Sequence, residues 1–273
     1  MDEAFFRDKV MIITGASSGI GLAAARLFAG YGANVVMAAR SLEKMETEAA
    51  TFPENSGKVL CIRTDVTVEE DCRLLVERTV EEFGRIDFLV NNAGISMRAM
   101  FNELDLAVIH KLMEVNFWGT VNCTIHALPH LVASHGSITG VISTAGYTPL
   151  PARTGYSASK YAVRGFLDTI RMEHMKDGLH VMVFAPGYTN TNIRNTALTK
   201  DGSEQGNTPL EEGKLMSADK VALKLARGLY HRRRELILTG LGKTAVVFRK
   251  LAPALSDRLT YRYISHEKDS PFK

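Results

Sequence analysis

The chain has 273 residues, of which 45% are apolar and 23% charged, and its formal net charge is +3. This composition supplies a sizeable core and excludes a disordered tail protein or a fibre. No apolar run approaches the roughly 18 residues that cross a bilayer, and the short acidic start MDEAFFRDKV is unlike a secretory signal, so we expect a cytoplasmic protein.

Short apolar runs alternate with helical patterns from one end of the chain to the other. The runs predict strands at residues 10–13, 34–37, 59–62, 86–90, 140–142, 180–184 and 235–239. Helical periodicity fills intervening segments, for example residues 22–31, 69–83, 156–174 and 218–230. Continuous apolar strands joined by crossover helices predict an α/β fold, a doubly wound parallel sheet with helices on both faces. No Pro, Gly or Ser linker divides the chain, so we interpret residues 1–273 as a single domain.

The segment at residues 188–216 departs from this alternation. It is largely polar, it is interrupted by glycines and a proline, and its periodicity is weak. Because it is too long for an ordinary loop, we interpret it as a lid over a substrate-binding site.

The C-terminal part of the chain is basic and amphipathic. Residues 220–273 contain 13 Lys and Arg against 4 Asp and Glu, whereas residues 1–219 contain 20 against 26. In the extension at residues 241–273, Pro253 interrupts or kinks a helical pattern formed by Val247, Phe248, Leu251, Leu255 and Leu259. This face fits an interfacial membrane helix pair with peripheral membrane contact, and it equally fits a dimer contact or a cover over the pocket. We favour burial of the face.

A glycine-rich segment, TGASSGIG, lies between the first predicted strand and the first predicted helix. Its cofactor-binding candidates are Gly15, Ser17, Ser18, Gly19, Ile20 and Gly21. Glycines there let the backbone turn tightly and approach a pyrophosphate, whose charge is met by the free N–H groups of the helix N-terminus. A tight turn without a ligand is the alternative, but the strand before and the helix after favour a dinucleotide site.

Arg40 stands at the end of the second predicted strand, about twenty residues after the glycine-rich segment. An enzyme that prefers NAD normally places an Asp or Glu there, on the ribose 2′-hydroxyl, yet residues 33–41 contain no carboxylate. A guanidinium at this position is able to pair with a 2′-phosphate. The sequence therefore predicts NADP(H) as the cofactor, and the alternative is that Arg40 is only a surface charge.

Tyr156 and Lys160 are four residues apart on a predicted helix, and Ser143 lies thirteen residues before Tyr156 at the end of an apolar strand. The spacing puts ammonium and phenol on one face, where the positive charge favours the ionised phenol. A tyrosine with a lowered pKa is a usable general acid and base. Ser143 is suited to donate a hydrogen bond to a carbonyl oxygen on which negative charge develops.

Together these motifs resemble the short-chain dehydrogenase/reductase family, over residues 9 to about 240. Residues 14–21 resemble its TGxxxGxG loop, residues 91–94 its NNAG segment, and Tyr156 with Lys160 its YxxxK pair. The resemblance implies a Rossmann-type, NADP-binding catalytic domain.

Residues 186–203 and 251–255 are also similar to a membrane-associated group with hydroxysteroid and keto-lipid reductases. Many relatives there carry an N-terminal membrane helix, which we expect this chain to lack because it begins at the first strand.

Carried over position by position, the resemblance implies roles for further residues. Asn116 resembles the asparagine that holds a proton-relay water, Ser143 the residue that orients the substrate, and Tyr156 the acid/base. Lys160 resembles the lysine that binds the nicotinamide ribose and lowers the tyrosine pKa. Cofactor contacts are implied for Asp65 and Val66 at the adenine, and for Asn92, Ala93, Gly94, Pro186, Gly187, Thr189 and Thr191. Thr189 stands where an aliphatic residue is usual.

The resulting hypothesis is an NADP(H)-dependent oxidoreductase that interconverts a ketone or aldehyde and an alcohol. Residues expected near the substrate are apolar or aromatic and indicate a bulky, steroid-like or keto-lipid molecule: Met97, Met100, Phe101, Tyr147, Pro149, Leu150 and Tyr188. The alternative is an NADP(H)-binding regulatory or scaffold protein whose basic C-terminus engages a partner or a membrane.

The remaining expectations concern metals and partners. The eight histidines and three cysteines show no metal-ligand spacing, so we predict no metal site and no disulfide framework. Residues 1–219 are net acidic and offer no basic face interleaved with aromatic side chains, so we expect no nucleic-acid partner. The family resemblance implies a homodimer or homotetramer.

Overall fold

A single parallel sheet organises the protein, as seen in a computed structural model that describes residues 1–206, 215–266, 270 and 272. The strands are β1 (Val10–Thr14), β2 (Asn34–Ala39), β3 (Val59–Arg63), β4 (Phe88–Asn91), β5 (Ser137–Val141), β6 (His180–Ala185), β7 (Thr189–Asn190), β8 (Met216–Ser217) and β9 (Glu235–Ile237). Seven of them form the sheet in the order β3-β2-β1-β4-β5-β6-β9, and every neighbouring pair is parallel. β7 and β8 pair separately beside it.

Helices connect these strands. They are α1 (Gly19–Gly30), α2 (Leu42–Ala49), α3 (Glu69–Phe83), α4 (Leu106–Leu112), α5 (Gly119–Ala133), α6 (Thr154–Glu173), α7 (Ala218–Tyr230), α8 (Gly240–Leu251) and α9 (Pro253–Ser265). A π-helical turn, Met113–Trp118, joins α4 to α5. In the described part of the chain, no helix has both the length and the apolar character needed to cross a membrane.

Helices cover both faces of the sheet, because strand side chains alternate between two cores. On β1, Met11 and Ile13 belong to the core beneath α1 and α7, whereas Ile12 belongs to the core beneath α3, α5 and α6. The predicted doubly wound α/β fold is therefore confirmed. Continuous burial of β1 on both faces explains why its sequence reads as an uninterrupted apolar run.

The functional region follows from the strand order. The order runs outward in opposite directions from β1 and β4, so the loops that leave the carboxyl ends of these two neighbours diverge and open a crevice. The glycine-rich segment leaves β1 and the NNAG segment leaves β4. The topology thus brings the two motifs together at one edge of the sheet.

Several predicted boundaries differ from the structure in detail; the strands predicted at 86–90 and 140–142, for example, span Phe88–Asn91 and Ser137–Val141. The last strand ends at Ile237 and not at 239, because the Thr239 hydroxyl accepts a hydrogen bond from the Gly242 N–H at 3.0 Å and caps α8. In the predicted lid, of which residues 188–206 and 215–216 are described, β7 pairs with β8, and Leu198 forms isolated bridges with Met97 and Glu204. Residues 207–214 of the lid lie outside the described residues.

Candidate active site

The NNAG segment holds the glycine-rich loop in place. The hydroxyl of Thr14, at the end of β1, accepts hydrogen bonds from the backbone N–H groups of Asn92 and Ala93, both at 3.0 Å. The side-chain amide of Asn92 donates to the backbone oxygens of Thr14 at 2.9 Å and Gly15 at 3.3 Å. Asn92 therefore acts as a brace between the two loops that leave β1 and β4.

The glycines of the loop stand where no side chain fits. Gly15 has φ +65°, and a Cβ built on it would lie 2.9 Å from the Cα of Ala93. A Cβ on Gly21 would lie 2.4 Å from the backbone oxygen of Gly15. Gly19, with φ +56°, brings the loop against Thr191, whose Cγ2 would be 3.2 Å from an added Cβ.

This bare backbone suits a pyrophosphate. Ser18 precedes α1 in an extended conformation, and its side chain makes no capping hydrogen bond to the helix start. The first N–H groups of a twelve-residue helix therefore face the crevice without a side-chain cap, beside the exposed or half-buried backbone of Ser17, Ser18 and Gly19. The residues present fit a dinucleotide.

The predicted adenosine end lies at the ends of β2 and β3. Arg40 is exposed directly after β2, and Asp65 and the buried Val66 follow β3. Partial burial raises the pKa of Asp65, but hydrogen bonds from Thr67 and the charges of Arg40 and Arg63 outweigh it, so the net pKa is lowered. Arg40 and Asp65 are thus neighbours across the predicted ribose and adenine site.

Ser143 and Tyr156 meet at the carboxyl end of β5. Ser143 follows this strand and caps the short turn Thr144–Gly146, and its hydroxyl lies near the Tyr156 phenol, whose pKa it lowers. Burial raises the pKa of Tyr156, while Ser143 and the positive charge of Arg153 lower it; the net pKa is raised. The charge acting on this phenol therefore comes from Arg153, a residue that the sequence analysis did not single out.

Lys160 lies one helical turn below Tyr156 on α6 and is 4% exposed. Its ammonium donates a hydrogen bond to the backbone oxygen of Val141 at 3.0 Å and lies 5.8 Å from the centre of the Tyr156 ring. The sequence predicts that Lys160 lowers the pKa of Tyr156, and the structure differs, because burial of the phenol dominates. Burial also lowers the pKa of Lys160 itself to about 8.

Asn116 positions the floor of the site from the π-helical turn. Its side-chain oxygen accepts a hydrogen bond from the N–H of Ile95 at 2.8 Å, and its amide donates to the Ile95 oxygen at 3.0 Å and to Ser159 at 2.9 Å. A Cβ on Gly94 would lie 3.1 Å from Asn116 Oδ1 and 3.2 Å from Lys160 Nζ. The structure therefore brings Asn116 and Lys160 to the same glycine, and a water relay through Asn116 stays a prediction.

A cleft with an empty volume of about 1050 Å³, counting the space at its open mouth, joins these parts. Ten of the sequence-predicted site residues line it: Ile20, Asn92, Gly94, Ser143, Tyr156, Lys160, Pro186, Gly187, Thr189 and Thr191. The others predicted lie behind the lining or toward the adenosine end, namely Gly15, Ser17, Ser18, Gly19, Gly21, Arg40, Asp65, Val66, Ala93 and Asn116. Thr189 is buried, and its hydroxyl donates to the backbone oxygen of Gly187 at 3.1 Å.

The residues expected near the substrate divide into two groups. Leu150 and Tyr188 line the cleft. Met97 is fully buried in a separate small core, and Tyr147 is buried with its ring under Arg164, 4.1 Å from the guanidinium carbon. Three further residues do not line the cleft: Met100, Phe101 and Pro149.

Sequence reasoning missed several lining residues. Arg153, Ile193, Arg194, Ala197 and Gln205 contribute to the cleft. Arg153 precedes Tyr156 by three residues at the start of α6, so helical spacing was a usable signal for it. The other four lie in the predicted lid, where weak periodicity gives no indication of which side chains turn inward.

The residues considered as metal ligands or disulfide partners lie outside the lining of the cleft. Within residues 1–206 and 215–266, no group of three or more His, Cys, Asp or Glu could hold a metal ion. Cys61, Cys72 and Cys123 are free thiols, and the last two are buried.

Comparisons with known proteins agree with the geometry. A family model described as short chain dehydrogenase matches residues 9–202. "Dehydrogenase/reductase SDR family member 7B" of Rattus norvegicus is 33% identical over 98% of this chain and 85% of its own length. "11-beta-hydroxysteroid dehydrogenase-like 3" of Arabidopsis thaliana is 33% identical over 95% of this chain and 83% of its own length.

Solved structures share the fold. An alcohol dehydrogenase of the archaeon Thermococcus sibiricus, complexed with 5-hydroxy-NADP, matches with a TM-score of 0.74 and 28% identity, over 84% of this chain and 95% of that one. A short chain dehydrogenase/reductase of Burkholderia phymatum, in complex with NAD, matches with a TM-score of 0.81 and 23% identity, over 92% and 95%. The resemblance stated from the motifs is confirmed: the chain belongs to the short-chain dehydrogenase/reductase family of oxidoreductases.

Proposed function

We propose that the protein is an NADP(H)-dependent oxidoreductase that interconverts a ketone or aldehyde and an alcohol on a bulky apolar substrate. The observation that carries this proposal is that Ser143, Tyr156 and the buried Lys160 line one cleft. A donor, an acid/base and a cation meet there at the carboxyl end of the sheet, beside a loop that fits a dinucleotide.

The chain offers contacts along the whole length of such a cofactor. Glycine-rich backbone at the start of α1 would hold the pyrophosphate, and Asp65 with Val66 would adjoin the adenine. Pro186, Gly187 and Thr191 line the cleft near the catalytic groups, where the nicotinamide end would lie. When bound, the nicotinamide supplies or accepts the hydride.

Tyr156 acts as the general acid in carbonyl reduction and as the general base in alcohol oxidation. The phenol gives its proton to the substrate oxygen as negative charge develops there, and Ser143 donates a second hydrogen bond that orients this oxygen. Lys160, whose pKa is about 8, is mostly protonated at neutral pH, and its ammonium lies 5.8 Å from the centre of the Tyr156 ring, where it serves to return a proton to the phenolate after reduction. Asn116 positions Gly94 and Ile95 beneath this pair.

The preference for NADP(H) rests on Arg40. Its exposed guanidinium stands at the end of β2, where an NAD enzyme places a carboxylate, and residues 33–41 contain none. Its charge acts on Asp65 across the predicted ribose site. A 2′-phosphate bound there would form charge-assisted hydrogen bonds with Arg40.

The substrate class follows from the lining and from the relatives. Leu150, Ile193, Ala197 and Tyr188 give the cleft an apolar side, and Arg153 gives it a polar one. A relative is named for a hydroxysteroid activity, which supports a bulky ring or chain substrate. We therefore favour a steroid-like or keto-lipid carbonyl compound.

Turnover measurements test this function. Oxidation of NADPH and of NADH is followed with a panel of steroid, long-chain keto-lipid and small aromatic ketones, and the reverse reaction with the matching alcohols. We expect turnover with bulky ketones and a preference for NADPH. Tight NADPH binding without reduction or oxidation of any compound would favour the regulatory or scaffold alternative, against which the complete Ser143, Tyr156 and Lys160 arrangement speaks.

A further inference from the structure

The C-terminal helix pair, α8 and α9, exposes several large apolar side chains to solvent. On α8, Leu241, Val247 and Leu251 are 76%, 56% and 79% exposed. Gly242 and Val246 on the opposite side of the helix are buried, so the inner face of α8 is already packed. The exposed face is the one that the sequence predicted to be buried. Neither helix contributes a residue to the lining of the cleft.

α9 repeats this arrangement and adds charge. Leu255, Leu259 and Tyr263 are spaced by four residues, and each is about half exposed. Arg258 and Arg262, also spaced by four, form an exposed basic row beside this apolar stripe. Ile264 and Ser256 of the same helix are buried, so α9 also keeps a separate inner face.

The two helices form one body. An ion pair joins Arg249 on α8 to Asp257 on α9. Ala252 separates the two helices, and Pro253 begins the second one. Residues 240–266 contain five Lys and Arg and a single Asp, so the surface is apolar with a basic rim. Aromatic tips and long basic side chains at the edge of an apolar face suit the boundary between lipid headgroups and acyl chains.

We propose that the helix pair α8–α9 binds the surface of an anionic lipid membrane, with its apolar stripes at the acyl boundary and its basic side chains on the headgroups. Charge distinguishes this occupant from a second copy of the chain. A two-fold contact would bring the patch against itself, so that the basic side chains of both copies would gather in one interface without added negative charge. An anionic surface instead supplies negative charge to Arg258 and Arg262 of the basic row.

Vesicle co-sedimentation of the full chain tests the proposal. Vesicles of phosphatidylcholine alone are compared with vesicles that contain phosphatidylserine, at low and high salt. We expect binding to the anionic vesicles that weakens as salt is raised. The double variant Leu255→Ser/Leu259→Ser removes apolar contacts and should lower the partition constant at least tenfold. Arg258→Gln/Arg262→Gln should lower it roughly 25-fold, at about fivefold for each basic residue.

Matched controls separate a membrane role from general effects. Met172→Ser/Met175→Ser removes two side chains that are 59% and 69% exposed, in the last turn of α6 and just after it, and should leave the partition constant unchanged. Thermal unfolding of each variant shows whether the fold is kept. The proposal is overturned if the wild-type chain stays in the supernatant with anionic vesicles at every lipid concentration. It is also overturned if Leu255→Ser/Leu259→Ser converts a dimer to a monomer in sedimentation equilibrium without changing lipid binding.

Discussion

The buried ammonium of Lys160 donates a hydrogen bond to the backbone oxygen of Val141 at 3.0 Å. Val141 ends β5 and Lys160 lies on α6, so this bond ties the catalytic helix to the strand that carries Ser143. Burial makes the charged form of Lys160 costly and lowers its pKa from 10.5 to about 8. The protein therefore keeps a destabilising charge at the place where the proposed chemistry uses one.

Lys160 should make the stability of the fold rise with pH. Above its folded pKa of about 8 the native state has released the proton, while the unfolded chain holds it up to about pH 10.5. Relative to Lys160→Met, the wild-type free energy of unfolding should therefore increase between these pH values, by about 3 kcal/mol in total. Urea unfolding of both proteins at pH 7 and at pH 10 measures this difference. Curves for the two proteins that change in parallel with pH would contradict the assignment.

Arg153 should set the pH at which Tyr156 works. Its positive charge lowers the pKa of the phenol, so Arg153→Gln should raise that pKa. In alcohol oxidation, where the phenolate is the base, the rising limb of kcat/KM should move to higher pH. Arg164→Gln on the same helix is the control, because that guanidinium stacks on Tyr147. An unchanged pH profile in Arg153→Gln would show that another charge governs Tyr156.

An added methyl group should destabilise the fold in the glycine-rich loop and should be tolerated in the catalytic helix α6. A Cβ on Gly21 would lie 2.4 Å from the Gly15 oxygen, a backbone atom that has no room to give way. Gly21→Ala should therefore destabilise the fold by a few kcal/mol and abolish cofactor binding. Gly165 lies inside α6 with no atom within 4 Å of an added Cβ, so Gly165→Ala should stabilise by about 0.5–1 kcal/mol. Thermal unfolding and NADPH titration of both variants check this contrast.

Arg40 should discriminate between the two cofactors. Losing charge-assisted hydrogen bonds to a 2′-phosphate, about 1.5–3 kcal/mol, should weaken NADPH binding about 10- to 100-fold in Arg40→Ser and leave NADH binding unchanged. Arg63→Ser is the matched control, because Arg63 also neighbours Asp65 but stands at the end of β3. Fluorescence titration with each cofactor gives the dissociation constants. Equal loss of affinity for NADPH and NADH would refute the role of Arg40 in cofactor choice.

Fold and cofactor loop were predictable because they depend on local chemistry. Strands buried on both faces read as apolar runs, and Gly15 and Gly21 stand where backbone atoms approach too closely for a side chain. The YxxxK spacing placed Tyr156 and Lys160 on one helix face for the same reason.

Other features depend on contacts between distant segments and were not predictable. The net pKa of Tyr156 is decided by burial, by Ser143 and by Arg153, and no spacing rule sums these effects. Met97 reads as a substrate contact in the sequence, but the packing of α4 and α6 encloses it in a small core. The exposure of Leu251 likewise depends on how α8 and α9 pack against the rest of the protein, and sequence periodicity does not determine that packing.

Removing the hydroxyl group of Tyr156 tests most directly whether this residue is the general acid and base. We expect Tyr156→Phe to bind NADPH like the wild-type chain and to lower kcat for ketone reduction by about 10²–10⁴-fold, the usual contribution of general acid catalysis. Tyr161→Phe is the control: Tyr161 lies five residues further along α6, its hydroxyl donates to the backbone oxygen of Tyr147, and we expect the variant to keep full activity. Ketone reduction by Tyr156→Phe at the wild-type rate would contradict the acid/base role of Tyr156.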